Sequence, residues 1–324
     1  MTRVFITGVA GQDGSLLAER LAAEGASVHG LVRTADDAVE AASRLPAGVA
    51  LHVGDLLDTA TVEALIAEVA PAEVYNLAGV SSVAQSWVDP VSTGLVSGVG
   101  AVAVFEAAWR LQERTGNPVR VLQASSAEIF GQAVVSPQDE QTPLRPGSPY
   151  GAAKAYAHHM ASIYRERGLP VSACVLYNHE SPSRPTAFVT RKITSTVARI
   201  AHEGRGSLTL GRTDVRRDWG WAADYVDAMV RAVRHETADD YVVATGEVHT
   251  VAEFVEVAMR HAGIDDWEAH VRVDEKLVRP ADAAEQVGDP GKARRVLGWT
   301  PTVDFHGIVA RMVDHDLELL RSRP

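Results

Sequence analysis

The sequence predicts a Rossmann-type α/β fold: a doubly wound parallel sheet carrying a smaller, discontinuous α/β lobe. An apolar strand at residues 4–6 runs into Gly8, Gly11 and Gly14, and an apolar-periodic helix over 15–23 follows. Strand-like and helix-like stretches then alternate through the first half of the chain. Several of those strands end in polar, chemistry-bearing residues, at the edge where ligands bind in open parallel sheets.

Glycines let the backbone turn sharply and approach a pyrophosphate, which then rests on a helix N-terminus. A glycine triplet alone is weak, but this one follows a strand, opens a helix and leads to a second strand at Ser27–Val32. Gly8, Gly11 and Gly14, with Gln12 and Asp13 among them, are the expected dinucleotide contacts. An NAD enzyme carries Asp or Glu at the end of the second strand, about 20 residues on, for the ribose hydroxyls. Val32 stands there and Arg33 follows, which favours NADP over NAD, while Asp36 and Asp37 weaken the positive field.

Ala50–Val53 reads as a third strand ending in Gly54-Asp55-Leu56, where Asp55 is placed to accept from an adenine amino group. A helix covers Thr59–Val69, and a buried strand over 73–77 ends in Asn76-Leu77-Ala78-Gly79, against which a cofactor would lie. A helix over 99–111 precedes a strand over 120–124 that delivers Ser125 and Ser126 at its carboxyl end. A helix over 150–166 leads to the strand Val171–Leu176. After Tyr177 the segment 178–185 is polar and turn-forming. Helices over 188–202 and 222–233 flank a short strand over 207–210, and a strand over 241–244 is expected to rejoin the large sheet. A helix over 251–262, a strand over 269–273 and a helix over 305–320 complete the chain. The expected division is 1–177 with 218–247 as the dinucleotide-binding domain and 178–217 with 248–324 as the substrate lobe.

Ser125-Ser126-Ala127-Glu128 and Tyr150-Gly151-Ala152-Ala153-Lys154 carry the chemistry. A hydroxyl, a carboxylate and a Tyr-xxx-Lys pair are the parts needed to move a proton and a hydride at one sugar carbon. A tyrosine pKa near ~10 is too high for a base at neutral pH. The ammonium of Lys154, one helical turn along, is expected to stabilise the Tyr150 phenolate and lower that value. Ser126 would hold the substrate oxygen whose proton Tyr150 takes, and a nicotinamide would accept the hydride.

With these pieces placed, the chain resembles the extended short-chain dehydrogenase/reductase family, and within it the GDP-mannose 4,6-dehydratases. The carrying segments run from Ile6 to Ser15 and from Ser148 to Lys154. Further segments are Asn178-His179-Glu180-Ser181-Pro182, Thr190-Arg191-Lys192-Ile193, Arg217-Asp218-Trp219-Gly220 and Ala244-Thr245-Gly246-Glu247-Val248-His249. The resemblance implies oxidation at C4 of a nucleotide sugar, removal of the C5 proton, loss of the C6 hydroxyl as water, and return of the hydride to C6. It makes Tyr150 the C4 base, Lys154 its tuner, Ser126 the hydroxyl partner and Glu128 the C5 base. It adds Leu56, Leu77 and Ala78 to the cofactor contacts and Ser81 to the substrate contacts. Lys192, Arg217 and Arg279 are then diphosphate ligands, with Asn178 and Asp282 on sugar or base. Arg meets phosphate through paired donors, which suits Arg217 and Arg279. His179 reads as shaping its loop, and Trp219 and Trp221 as packing.

Four departures bear on the outcome. Ala127 stands where sugar-nucleotide dehydratases often place Asp or Ser to protonate the departing hydroxyl, so Glu128 performs both tasks or a water helps. Val80 and Ser82 replace a Gln and a His beside the sugar, leaving room for a larger sugar such as a heptose. Thr34 replaces a second cofactor-loop Arg, and the following loop is short and acidic. The last two weaken the NADP assignment and the tetramer known among relatives; a homodimer through helices 99–111 and 150–166 is expected. Ala127 also keeps an alternative open: a nucleotide-sugar epimerase that oxidises C4 without losing water. A non-catalytic dinucleotide sensor is disfavoured, because Ser126, Tyr150 and Lys154 all remain.

A chain of 324 residues with 46% hydrophobic residues buries a substantial core. A net charge of −11 argues against nucleic acid as a partner. Cys174 is the only cysteine, so no internal disulfide forms. No charged-then-apolar leader follows Met1, and no apolar run is read as approaching the roughly 20 residues that span a bilayer. The 12 histidines show no metal-ligand spacing. The expectation is a cytoplasmic enzyme without a metal or a membrane partner.

Overall fold

The computed structural model describes residues 1–278 and 283–322. In its first half, β1 (Arg3–Thr7), α1 (Gln12–Ala23), β2 (Ser27–Val32), α2 (Ala35–Ala42), β3 (Ala50–Val53), α3 (Thr59–Val69) and β4 (Glu73–Asn76) alternate. Next come α4 (Val83–Val88), α5 (Pro90–Gly94), α6 (Gly100–Thr115), β5 (Arg120–Ser126), α7 (Pro149–Glu166) and β6 (Val171–Leu176). Then follow β7 (Asn178–Glu180), α8 (Val189–Glu203), β8 (Leu208–Leu210), β9 (Arg216–Arg217), β10 (Trp219–Trp221), α9 (Ala222–Arg234) and β11 (Asp240–Val243). The described chain closes with β12 (His249–Thr250), α10 (Val251–His261), β13 (Val271–Val273), β14 (Glu285–Gln286), α11 (Gly291–Leu297) and α12 (Phe305–Arg321).

Seven strands form one sheet in the order β11-β6-β5-β4-β1-β2-β3, and every pairing is parallel. Crossover helices cover both faces, so the central strands are apolar along their length: Val4, Phe5 and Ile6 are all inaccessible to solvent. On one face Leu17, Leu21, Met229 and Trp299 share a core with β1 and β6. On the other, Ile66, Phe105, Ala161 and Tyr164 do the same for α3, α6 and α7. A separate core unites Ile193, Val197, Trp219, Phe254, Phe305 and Met312, and the buried Arg191–Asp316 ion pair ties α8 to α12 within it.

The strand order reverses between β1 and β4, which opens a crevice at the carboxyl ends where open α/β sheets bind ligands. A buried polar chain fixes those ends. Thr7 Oγ1 donates to Asn76 Oδ1 at 2.7 Å, Asn76 Nδ2 to Gln123 Oε1 at 2.7 Å, and Gln123 Nε2 to Ala124 O at 2.9 Å. Thr7 Oγ1 also accepts from Ala78 N–H at 3.1 Å.

The structure departs from the sequence expectation in several places. β5 runs two residues further, through Ser126. The polar stretch after Tyr177 begins as β7, paired in parallel with β10; its composition hid a partner some forty residues away. The acidic loop after Arg33 is the helix α2, capped by Thr34, whose hydroxyl accepts from Asp37 N–H while the Asp37 carboxylate accepts from Thr34 N–H. Ala293 and Leu297 of α11, with Trp299, pack beneath the large sheet rather than in the smaller lobe to which 248–324 was assigned. The helical segment Pro90–Thr115, continuous through a π turn at Leu95–Val99, is long and apolar enough to span a bilayer by length and composition, contrary to the reading above. In the fold, half of that stretch is buried against neighbouring elements, because a crossover helix between two layers carries the same small and aliphatic residues.

Removing one member of the polar chain strands its partners in a dry interior. Asn76→Leu is expected to destabilise the protein by about 2–6 kcal/mol in urea unfolding, since two side chains lose partners at roughly 1–3 kcal/mol each. An unchanged midpoint would show that these bonds are dispensable.

Candidate active site

The turn from β1 into α1 forms the floor of the crevice. Gly8 adopts φ +71°, and a β-carbon there would lie 2.9 Å from Ala78 N; one at Gly14 would lie 2.2 Å from Gly8 O. Only glycine permits this turn to pack so tightly. The result is a cavity of about 470 Å³ lined by Gly8, Gly11, Gln12, Asp13, Gly14, Arg33, Asp55, Leu56, Leu77 and Ala78. All ten residues, assigned to a dinucleotide by sequence, thus lie together at one end of the sheet. Asp55 Oδ1 accepts from Leu57 N–H at 2.9 Å, which turns the chain out of β3.

A second cavity of about 380 Å³ continues from the first through Asp13, Leu77, Gly79, Ser81, Arg184 and Phe188. It contains Ser126, Glu128, Tyr150 and Lys154. β5 carries Ser126 to its last position, and a 3-10 turn over Ala127–Ile129 swings Glu128 into the cavity. Ser126 Oγ accepts from Glu128 N–H at 3.3 Å. Helix α7 is capped by Ser148, whose hydroxyl accepts from Gly151 N–H at 3.0 Å. A β-carbon at Gly151 would lie 2.5 Å from Glu128 O, so the missing side chain lets Tyr150 approach β5. Ser126 and Tyr150 line this cavity together.

The electrostatics correct one expectation. Burial pushes the Tyr150 phenol up to about 12; the Ser126 hydroxyl opposes that rise, the Glu128 charge adds to it, and Arg184 opposes it. Lys154 is not what lowers it. Its ammonium donates to Ala124 O at 2.8 Å and lies 5.9 Å from the phenol ring centre. Burial lowers Lys154 itself to about 8, against a smaller opposing pull from Asp13. One-turn spacing brought the two residues to the same cavity but did not direct the ammonium onto the phenol oxygen.

The sequence did not disclose how the glycine turn is held. His179 Nε2 meets Asp13 Oδ2 at 2.9 Å, and its Nδ1 meets Tyr177 O at 2.7 Å. Gln12 Nε2 donates to His179 O at 3.2 Å and Gln12 Oε1 accepts from Ser181 Oγ at 2.9 Å. Gln12-Asp13 and His179-Glu180-Ser181 are therefore one hydrogen-bonded seam. His179 does shape its strand, and it also anchors the turn. Burial lowers its pKa, but Asp13 outweighs that and holds it above the usual value; the imidazolium in turn holds Asp13 below the usual carboxylate range despite burial.

Arg184 was also missed. It lines both cavities, stacks its guanidinium 3.9 Å from the Phe188 ring centre and lies 3.5 Å from Glu180. Its buried Nε has no hydrogen-bond partner among the described residues. The half-buried guanidinium, at the junction of the cavities, is placed to meet a phosphate-bearing dinucleotide. The only signal was an Arg two residues after Pro182 in the polar run.

On the substrate side, Ser81, Asn178, Lys192 and Arg217 all line the second cavity. Lys192 Nζ donates to Thr209 O at 2.6 Å. Beside Arg217, the buried carboxylate of Asp218 accepts from Thr245 N–H, Thr245 Oγ1, Gly246 N–H and Gly288 N–H at 2.7–3.4 Å. Burial nevertheless raises it to about 6. Arg279 and Asp282 lie outside the described residues. Trp219 is packed against Phe254 and Phe305, as its reading as packing implies.

A family model described as GDP-mannose 4,6 dehydratase matches residues 5–312. GDP-mannose 4,6 dehydratase 1 of Arabidopsis thaliana is 42% identical over 327 residues, covering 98% of this chain and 90% of its own. The Homo sapiens GDP-mannose 4,6 dehydratase is 40% identical over 348 residues, covering 99% and 92%. Among solved structures, the UDP-glucose 4-epimerase of Thermus thermophilus in complex with NAD superposes with a TM-score of 0.84 at 29% identity, over 97% of this chain and 99% of that one. The dTDP-glucose 4,6-dehydratase of Bacillus anthracis shares the fold, with a TM-score of 0.83 at 20% identity over 99% and 98%.

Two outcomes follow from the charges. The Asp13–His179 pair contributes stability below the ordinary histidine pKa of about 6.5, and that contribution is lost as pH rises through the higher folded value. Thermal stability is expected to decline as pH rises above about 6.5, and Asp13→Asn to flatten that part of the profile; an identical slope in the variant would assign it elsewhere. Lys154 loses its cation above about pH 8 in the ligand-free protein. Binding of a nicotinamide dinucleotide, followed by fluorescence, is expected to weaken roughly three- to tenfold from about pH 7 to 9, and Lys154→Met to remove most of that dependence.

Proposed function

The chain belongs to the GDP-mannose 4,6-dehydratase family, and on that premise we propose that it removes water from GDP-mannose or a close relative to give a 4-keto-6-deoxy sugar. The observation that carries the reading is the convergence of Ser126, Glu128, Tyr150 and Lys154 on a cavity continuous with a glycine-turn cleft. A bound nicotinamide dinucleotide would supply the hydride acceptor for C4 and the hydride donor for C6. Gly8, Gly11, Gln12, Gly14, Asp55, Leu56, Leu77, Ala78 and Arg184 would hold it.

Ser126 positions the C4 hydroxyl and Tyr150 takes its proton. Burial favours the neutral phenol of Tyr150 in the ligand-free site, so the phenolate that acts as base must form by loss of its proton to solvent before the cleft is filled. The C4 ketone acidifies the C5 proton, and a carboxylate then suffices as base: Glu128 removes it. The C6 hydroxyl departs as water. Ala127 offers it no proton, so Glu128 gives it the proton taken from C5, and the proton that C5 regains when hydride returns to C6 comes from solvent. Lys192 and Arg217, with Arg279 from outside the described residues, would hold the diphosphate; Asn178, Asp282 and Ser81 would contact the sugar or base.

The cofactor proposed is NADP. Arg33 lies on the cavity wall directly after β2, whose last residue is the apolar Val32. The nearby acids are already engaged: Asp37 caps α2, and Glu40 pairs with Arg44 at 2.8 Å. A homodimer is proposed through Pro90–Thr115 and α7, because Val91, Leu95, Val99, Tyr156 and Ile163 are exposed apolar residues on those helices.

Ala127 keeps the epimerase as the second reading, since proton return at C5 or C4 needs no leaving hydroxyl. Mass spectrometry after incubation with GDP-mannose and NADP separates the two: loss of one water is expected, and an unchanged mass with inverted stereochemistry would establish the epimerase. Glu128→Gln is expected to oxidise C4 and accumulate reduced cofactor while elimination slows at least 100-fold; a normal rate of product release would remove Glu128 as the C5 base. Arg33→Ala is expected to weaken NADP binding about tenfold or more and NAD binding little. Equal losses would remove Arg33 as a 2′-phosphate ligand.

A further inference from the structure

Strand β14 brings one side chain to the reactive cluster from the opposite lobe. Successive residues on a strand face opposite ways. Glu285 turns outward, where it pairs with Arg216 at 2.7 Å and accepts from Ser136 Oγ at 2.7 Å. Gln286 turns inward, is 4% exposed, lines the second cavity and donates from Nε2 to Glu128 Oε1 at 3.3 Å. Its backbone is held from both sides. Gln286 O accepts from Asp218 N–H at 3.0 Å, and the next carbonyl, Val287 O, accepts from Gln138 N–H at 2.9 Å. The side chain thus has little freedom to leave the carboxylate.

We propose that Gln286 is a positioning residue for elimination: its amide orients the Glu128 carboxylate toward C5 and C6 from across the cleft. The proposal rests on the dehydratase reading above. The residue beside Glu128 on its own turn is Ala127, which is buried and has no polar side chain. A carboxylate that both removes the C5 proton and returns it to the departing hydroxyl must keep one oxygen aimed at each position in turn. A neutral amide suits that task. It donates to the carboxylate without adding a charge, and it cannot take the proton that Glu128 must carry. Because Gln286 belongs to the strand that pairs with β9, next to Arg217, the orientation of the base depends on docking of the segment that would hold the diphosphate.

The test uses Gln286→Met, which keeps the length and shape and lacks the N–H, with Gln286→Glu as a second variant. In the ligand-free protein, carbon-13 NMR titration of the Glu128 carboxyl, assigned with Glu128→Gln, is expected to move upward by about half a pH unit or more in Gln286→Met, because a donor to the charged form is lost. With GDP-mannose and NADP, C4 oxidation followed by cofactor absorbance is expected to stay within about twofold, while water loss slows roughly 10- to 100-fold and KM is held. In Gln286→Glu a second carboxylate raises the acid limb of the kcat profile. An unmoved Glu128 titration, or oxidation and elimination slowed in equal measure, would overturn the proposal. If the unaltered protein removes no water, the dehydratase reading fails by itself, and the titration still decides whether Gln286 holds Glu128.

Discussion

A chain of buried hydrogen bonds across the carboxyl ends of the central strands is the constraint on which the site depends. Thr7, Asn76 and Gln123 sit on β1, β4 and β5, and their side chains link those strands in order before ending at Ala124 O. That same carbonyl accepts from the buried Lys154 ammonium. In a dry interior such bonds are strong when complete and costly when broken, so they set the relative heights of the strand ends. The heights matter because Gly8, Ala78 and Ser126 all follow directly from them. The glycine turn, the cofactor wall and the hydroxyl that meets Tyr150 are thereby held as one unit.

The second lobe completes the site through directed polar contacts as well as an apolar wall. His179 and Ser181 grip the glycine turn through Asp13 and Gln12, and Gln286 meets Glu128. Asp218 gathers the ends of the lobe's short strands and the Thr245-Gly246 turn around one buried carboxylate. Polar seams of this kind fix orientation more sharply than hydrophobic packing does, because they are directional. They also place charge where the chemistry occurs: burial and the Glu128 charge keep Tyr150 protonated, while burial alone lowers Lys154 against the pull of Asp13 in the ligand-free protein.

Much of this was legible in the chain. The strand-turn-helix around Gly8, Gly11 and Gly14 was readable because only glycine fits those contacts, and the alternation of elements followed from burial on both sheet faces. Ser126, Glu128, Tyr150 and Lys154 were readable as reactive types at regular spacing. Less was legible where structure comes from distant pairing. Residues 178–180 looked like a loop because a three-residue strand has no periodicity of its own. Thr34 and the acids behind it looked like a charged loop, although their spacing is that of a capping box. Arg184 and Gln286 carried no motif at all.

The sequence by itself determined the parallel sheet, the cleft at its carboxyl edge and the residues able to move a proton there. These follow from local rules: burial patterns, the steric freedom of glycine and the intrinsic chemistry of each side chain. Only the tertiary structure decided which groups those residues address. It directed Lys154 to Ala124 O instead of the phenol, joined Asp13 to His179, and set Gln286 on Glu128. The physical reason is that a hydrogen bond depends on sub-ångström placement and direction, and a burial that shifts a pKa depends on everything packed around the group. Neither quantity is a property of a few neighbouring letters.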